Sequence, residues 1–183
     1  RDLHSFPTRR SSDLNGRRAE GVEHLVRRGA EFIQGDLSDP ELVQRLCHDV
    51  EAVVHCAGAV GVWGRRQDFQ QGNVQVTENI VEGCLKQQVR RLVHLSSPSI
   101  YFDGHSHLGI KEEQVPRRFI NHYAATKYLA EQKVFGAEEF GLEVIALRPR
   151  FVTGAGDNSI FPRLLNMQRK KRLSIVGNRS EEH

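Results

Sequence analysis

The chain is poor in cysteine, methionine and tryptophan, with three, one and one among 183 residues, and no apolar run nears the roughly 18 residues that cross a bilayer. No basic stretch followed by an apolar one marks the N-terminus, so neither membrane insertion nor secretion is indicated and a cytoplasmic location is expected. Cys47, Cys56 and Cys84 are odd in number, sit among apolar neighbours and lack C-x-x-C spacing. Neither a disulfide framework nor a zinc site is therefore suggested, no metal ligands are assigned, and the three read as small buried residues. Charge of one sign is also lacking: 26 Lys+Arg face 23 Asp+Glu, for a net +3. The basic clusters Arg65-Arg66, Arg90-Arg91 and Arg169-Lys170-Lys171-Arg172 are short and scattered, so no nucleic-acid partner is expected. With 38% apolar residues the composition is that of one globular domain.

The two ends differ from the rest. Arg1 to Leu14, RDLHSFPTRRSSDL, have neither a helical nor a strand period and resemble the translation of a short-read sequencing adapter. Arg179 to His183 resemble the same adapter family at the other end. Residues 1–14 and 179–183 are accordingly expected to be adapter-like artefacts, with Asn15 and Asn178 as cut points.

Between them strand and helix alternate. Glu31 to Gln34 reads as a strand, and Asp39-Pro40 starts a helix through about His48, with Asp39 as N-cap and Pro40 in the first turn. Glu51 to Ala57 is a strand, a helical pattern runs from about Asp68 to Gln88, and Arg91 to Ser96 is a strand again. A helix over roughly Asn121 to Phe140, a strand over Leu142 to Leu147 and a helix from near Ser159 complete the order. Continuous apolar strands predict burial on both faces, and the order predicts an α/β fold, a doubly wound parallel sheet. Ligands lie at the carboxyl ends of such strands. Here these ends carry Gly35-Asp36-Leu37, Cys56-Ala57-Gly58, Ser96-Ser97 and Arg148-Pro149-Arg150. His55 and His94, strand residues without ligand spacing, are expected to be buried and hydrogen-bonded.

Tyr123 and Lys127 stand four residues apart, on one helix face. A free tyrosine has a pKa of about 10 and a nearby cation favours its ionised form, so this pair can exchange a proton with an alcohol or ketone. Ser97, at a strand end, can hydrogen-bond the same oxygen; a surface lysine beside a half-buried tyrosine, and an ordinary turn serine, are the plainer alternatives.

Through these residues the chain resembles the extended short-chain dehydrogenase/reductases, the group of NAD-dependent epimerase/dehydratases and 3β-hydroxysteroid dehydrogenases. The segments Ser97 to Gly104, Pro116 to Phe119 and Leu147 to Arg150 are similar to those of 2-alkyl-3-oxoalkanoate reductases. The resemblance implies a Rossmann-like domain over residues 15–178, a nicotinamide cofactor, a small-molecule substrate and pairing into a homodimer through the helix bearing Tyr123. It makes Tyr123 the general acid/base, Lys127 its activator and a ligand of the nicotinamide ribose, and Ser97 the group that polarises the carbonyl. Asp36 and Leu37 would meet the adenine, Ala57 and Gly58 the cofactor backbone, Asn73 its neighbourhood and Pro149 the nicotinamide. Arg17 and Arg18 follow the place where the second strand would end and suit a ribose 2′-phosphate, which slightly favours NADP over NAD.

One departure stands out. The family's first strand and its G-x-x-G-x-x-G phosphate loop are missing, as is most or all of the second strand. Gly58, Gly61 and Gly64 give the loop's spacing, but Trp63 and Arg65-Arg66 follow where an apolar-periodic helix should. That stretch reads as a substrate-side loop, as does Gly154 to Asp157. In the family's strand order the gap falls at the centre of the sheet, so this polypeptide alone is expected to be inactive and unstable, and the parent protein active. The expected activity is interconversion of a 3-hydroxy and a 3-keto group on a steroid-like or acyl substrate. A sugar-nucleotide epimerase or dehydratase and a non-catalytic NADP-binding protein are the alternatives. Arg117, Arg118 and Arg150 could meet a substrate carboxylate or thioester, solvated arginines being commoner.

Overall fold

Asp39 caps the first long helix as its sequence requires: its carboxylate accepts from the Glu41 and Leu42 backbone N–H groups, and Pro40 occupies the first turn. This comes from a computed structural model, which describes residues 13–61, 63–105, 107–150, 152, 154 and 160–172. Residues 1–12 and 179–183, most of the adapter-like ends, and Ala155, Gly156 and Asp157 of the expected loop lie outside the described residues.

In chain order the elements are β1 (Asp13–Gly16), α1 (Glu23–Val26), β2 (Glu31–Gln34), α2 (Pro40–Leu46), β3 (Ala52–His55), α3 (Arg66–Phe69), a π-helical turn (Gln70–Gln75), α4 (Val76–Lys86), β4 (Arg91–Leu95), a 3₁₀ turn (Pro98–Tyr101), α5 (His122–Gly136), a second 3₁₀ turn (Ala137–Phe140), β5 (Glu143–Leu147) and α6 (Ile160–Arg169). The long helical pattern around Asp68 to Gln88 is thus broken by a π turn, where one extra residue per turn re-aims side chains. β1 lies just before Arg17, where the end of the second strand was expected, and takes in Asp13 and Leu14 of the adapter-like end.

All strand pairs are parallel, in two sheets. β1 pairs with β2, placing Asn15 opposite Ile33; β3, β4 and β5 pair in that order, placing His55 opposite His94 and His94 opposite Ala146. Helices α2, α4 and α5 form the core with β4: Val43, Cys47, Ile80, Cys84, Leu92 and Val134 are buried together, each fully buried aliphatic contributing about 1.5–3 kcal/mol. Gly83 lets α2 lie against α4, since a Cβ there would stand 2.8 Å from a Val43 methyl.

Burial on both faces is not what the larger sheet shows. Leu92, His94 and Ser96 face the helices, whereas Val54, Ile145 and Leu147 are 63%, 43% and 48% exposed. The apolar strand runs carry no period that separates a face covered within this chain from one left open. The cysteines also divide: Cys47 and Cys84 are buried, but Cys56, just past β3, is exposed. Residues 1–150 and 151–183 form two separate units, and in the second the described element is α6.

Candidate functional site

The π turn carries Asn73 inward. Its side chain, 1% exposed, accepts from the Ala59 N–H at 2.8 Å and donates to the Thr126 hydroxyl at 3.0 Å. One amide therefore fastens the Cys56-Ala57-Gly58 segment after β3 to α5, at the residue before Lys127. Nearby, the Thr77 hydroxyl donates to the Asn73 carbonyl at 2.6 Å. With its proton so used, Thr77 accepts from His55 Nε2 at 3.0 Å, which fixes the His55 tautomer.

Gly58 sits against this anchor. A Cβ on it would lie 2.8 Å from Asn73 Oδ1 and 3.9 Å from Lys127 Nζ. Ala57, Gly58, Asn73 and Lys127 are thereby brought together. Lys127 is 5% exposed, and its ammonium donates to the Leu95 carbonyl at 2.6 Å, two residues before Ser97. Burial draws the Lys127 ammonium down to about 8, against the opposing pull of Glu131 and Cys56. Tyr123, one turn earlier on α5, is half-buried with its ring 6.3 Å from that of Phe69. The start of α5 is fixed by Asn121, whose side chain accepts from the Ala124 N–H at 2.8 Å.

Ser97 caps the 3₁₀ turn. Its Oγ accepts from the Ser99 N–H at 3.2 Å and lies 2.9 Å from the Ser99 hydroxyl. Below it, burial brings His55 and His94 down to about 3, their rings 5.2 Å apart. His55 is hydrogen-bonded as expected. His94 is not: neither ring nitrogen, nor the buried Ser96 hydroxyl, has a partner among the described residues.

A second cluster stands at the ends of β1 and β2. Asp36 is exposed, and its carboxylate, held low chiefly by bonds from Ser38 and also by the Arg17 charge, accepts from the Ser38 N–H at 2.9 Å. Leu37 packs against the core, and its carbonyl accepts from Asn79 at 2.9 Å, tying this end to α4. Arg18 and Pro149 are exposed and join neither cluster through a described bond, and Arg117, Arg118 and Arg150 are likewise exposed. The Gly58-to-Gly64 stretch carries Trp63, 91% exposed, and leads into α3, which continues through the π turn into α4.

Sequence reasoning missed Thr126, Glu131 and the role of Arg148. Glu131, 0% exposed, pairs with Arg148 through two guanidinium nitrogens. Helical spacing alone places Glu131 on the face of Tyr123 and Lys127, which was the available signal. No helix among the described residues is long and apolar enough to cross a membrane.

A family model described as the NAD dependent epimerase/dehydratase family matches residues 4–182. The chain is 38% identical over 157 residues to a 2-alkyl-3-oxoalkanoate reductase of Stenotrophomonas maltophilia, covering 84% of this chain and 48% of that protein. It is 30% identical over 155 residues to a sterol-4-alpha-carboxylate 3-dehydrogenase (decarboxylating) of Bos taurus, covering 81% and 43%. Among solved structures it matches MoeE5 in complex with UDP-glucose and NAD, with a TM-score of 0.71 and 27% identity over 91% of this chain and 64% of that one. The chain spans about half the length, or less, of the curated relatives it matches.

Proposed function

Because this chain belongs to the NAD dependent epimerase/dehydratase family, we propose that the full-length gene product is an NAD(P)-dependent oxidoreductase interconverting a 3-hydroxy and a 3-keto group on an acyl or steroid-like substrate. The observation that carries this reading is the seating of Lys127: buried one turn from Tyr123, its ammonium is anchored at the end of the strand that leads into Ser97. The residues present suit a dinucleotide. Gly58 lets the backbone after β3 lie directly against the Asn73 side chain, 2.8 Å from where a Cβ would stand, and Asp36 presents an exposed carboxylate beside Arg17. Asp36 and Leu37 would meet the adenine, Ala57 and Gly58 the cofactor backbone, Lys127 the ribose and Pro149 the nicotinamide, with Asn73 holding the segment they share. Arg17 and Arg18 slightly favour NADP. When bound, the nicotinamide supplies or accepts the hydride.

Towards reduction, the Ser97 hydroxyl donates to the substrate carbonyl oxygen and orients it. Tyr123 donates its proton to the oxygen as negative charge grows there, so the ketone becomes an alcohol and a phenolate remains. The Lys127 ammonium, in its low-dielectric setting, stabilises that phenolate. Oxidation runs the same steps backwards.

Likeness to a UDP-glucose complex supports a second reading, a sugar-nucleotide epimerase or dehydratase. Two features weigh for the first. Pro98 follows Ser97, where dehydration needs an additional acid. Exposed apolar side chains, Val60, Trp63, Phe102, Leu108 and Ile110, occupy the loops after β3 and β4, which suits an apolar substrate. A non-catalytic NADP-binding role sits poorly with the presence of both Tyr123 and Lys127.

The test is NADPH consumption by the full-length protein with a 2-alkyl-3-oxoalkanoate or a 3-ketosteroid, beside product analysis after incubation with UDP-glucose and NAD. Ketone reduction is expected, with kcat falling by about 10²- to 10⁴-fold in Tyr123→Phe. Turnover of the UDP-sugar without ketone reduction, or an undiminished Tyr123→Phe, would overturn the reading.

A further inference from the structure

Arg148 stands just past β5 and touches three elements. Its Nε donates to Glu131 at 3.1 Å and its Nη2 to the other carboxylate oxygen; its Nη1 donates to the Tyr101 hydroxyl and, at 2.8 Å, to the Glu112 carbonyl. The guanidinium also lies 5.0 Å from the centre of the Tyr101 ring. Tyr101 ends the turn that Ser97 begins, and Glu131 lies one turn beyond Lys127 on α5. We propose that Arg148 and Glu131 are a positioning pair that holds the Ser97 turn and the Tyr123–Lys127 helix in register and sets the charge beside Lys127. The proposal rests on the reading of Ser97, Tyr123 and Lys127 given above.

The chemistry of the pair supports it. Glu131 is wholly buried, where an unpaired carboxylate is costly, and the planar fork of arginine satisfies both its oxygens at once. Lysine, a point charge, cannot make that fork and also reach Tyr101 and the Glu112 carbonyl. The groups acting on Lys127 are Glu131 on its own helix, Cys56 past β3, and the neutral imidazoles of His55 and His94 on the sheet, with Tyr123 one turn earlier on α5. Of these, Glu131 is the carboxylate, so it is the charge that keeps Lys127 protonated against burial.

Two readouts in the full-length protein test this. Lys127, followed by NMR in protein carrying ¹³C-labelled lysine and assigned with Lys127→Arg, is expected to titrate at least about half a pH unit lower in Glu131→Gln and to return in Glu131→Asp. Arg148→Lys, which keeps the charge, is expected to leave that midpoint in place and to lower kcat for ketone reduction about tenfold at unchanged KM. Variants that alter thermal stability alone, with midpoint and kcat unmoved, would overturn the proposal. The titration needs no turnover: a protein that reduces no ketone but shows the Glu131→Gln shift defeats the reductase reading and keeps the charge-setting role.

Discussion

Asn73 and Thr126, 53 residues apart in sequence, are joined by a 3.0 Å hydrogen bond between their buried side chains. With the Ala59 N–H on the other end of the Asn73 amide, this bond closes a bridge from the segment after β3 to α5. Asn73→Ala would strand both partners, at about 1–3 kcal/mol. A melting temperature lower by several degrees is expected for the full-length protein. An unchanged melt would show that the bridge carries no weight.

Gly58→Ala is expected to weaken NADPH binding at least about tenfold, because the added methyl would lie 2.8 Å from Asn73 Oδ1 and beside Lys127. Calorimetric titration reads the change. The same substitution at Gly136, where a Cβ meets nothing within 4 Å, should leave affinity unaltered.

Acid should destabilise the protein through His55 and His94. Each is held at about 3 in the fold, against 6.5 ordinarily, so the unfolded chain binds more protons between those values. Their contribution to stability is then fully present above about pH 6.5 and falls away as pH drops towards 3. Denaturant midpoints measured across that range should show this slope, and His94→Phe should flatten it. Since both His94 nitrogens lack partners among the described residues, the apolar ring should also match or exceed the parent's stability at pH 7.

Lys127 acts in the alkaline range with the same sign. Its folded value of about 8 lies below the ordinary 10.5, so the unfolded chain again holds more protons, and stability should rise as pH climbs from 8 to 10.5. Lys127→Met should remove that rise in the denaturant midpoint.

Arg17→Glu should shift cofactor preference from NADPH towards NADH about tenfold or more, by setting a carboxylate where a 2′-phosphate would lie. The ratio of kcat/KM with the two cofactors measures it, and an unmoved ratio removes Arg17 from the site.

Much of the scaffold was legible because its signals are local. Asp39-Pro40 marked α2, the spacing of Tyr123 and Lys127 marked one helix face, and the apolar runs marked β3, β4 and β5. What stayed hidden depends on distant partners. Nothing near Gln70 announces a π turn, which accompanies the pairing of Asn73 with a threonine on another helix. Arg148 sat in a recognised segment, but its partners Glu131, Tyr101 and Glu112 lie 17, 47 and 36 residues away. The open face of the larger sheet was hidden for a similar reason: Ile145 and Leu147 are as apolar as core residues, and only their surroundings tell the difference.

The division of the five strands into two sheets bears on how the protein comes apart. No ladder joins β1–β2 to β3–β4–β5 among the described residues, and the smaller sheet has only four paired positions. Amides of Leu14 to Gln34 should therefore exchange with solvent through a local opening that leaves Leu92 to Leu95 protected. Asp36 and Arg17 lie at the end of one sheet, Gly58 and Lys127 at the end of the other. In the order 3-2-1-4 a further strand would lie between β1 and β3 and join the two ladders into one sheet, so a full-length protein carrying that strand should show slower exchange in β1 and β2 than this chain does.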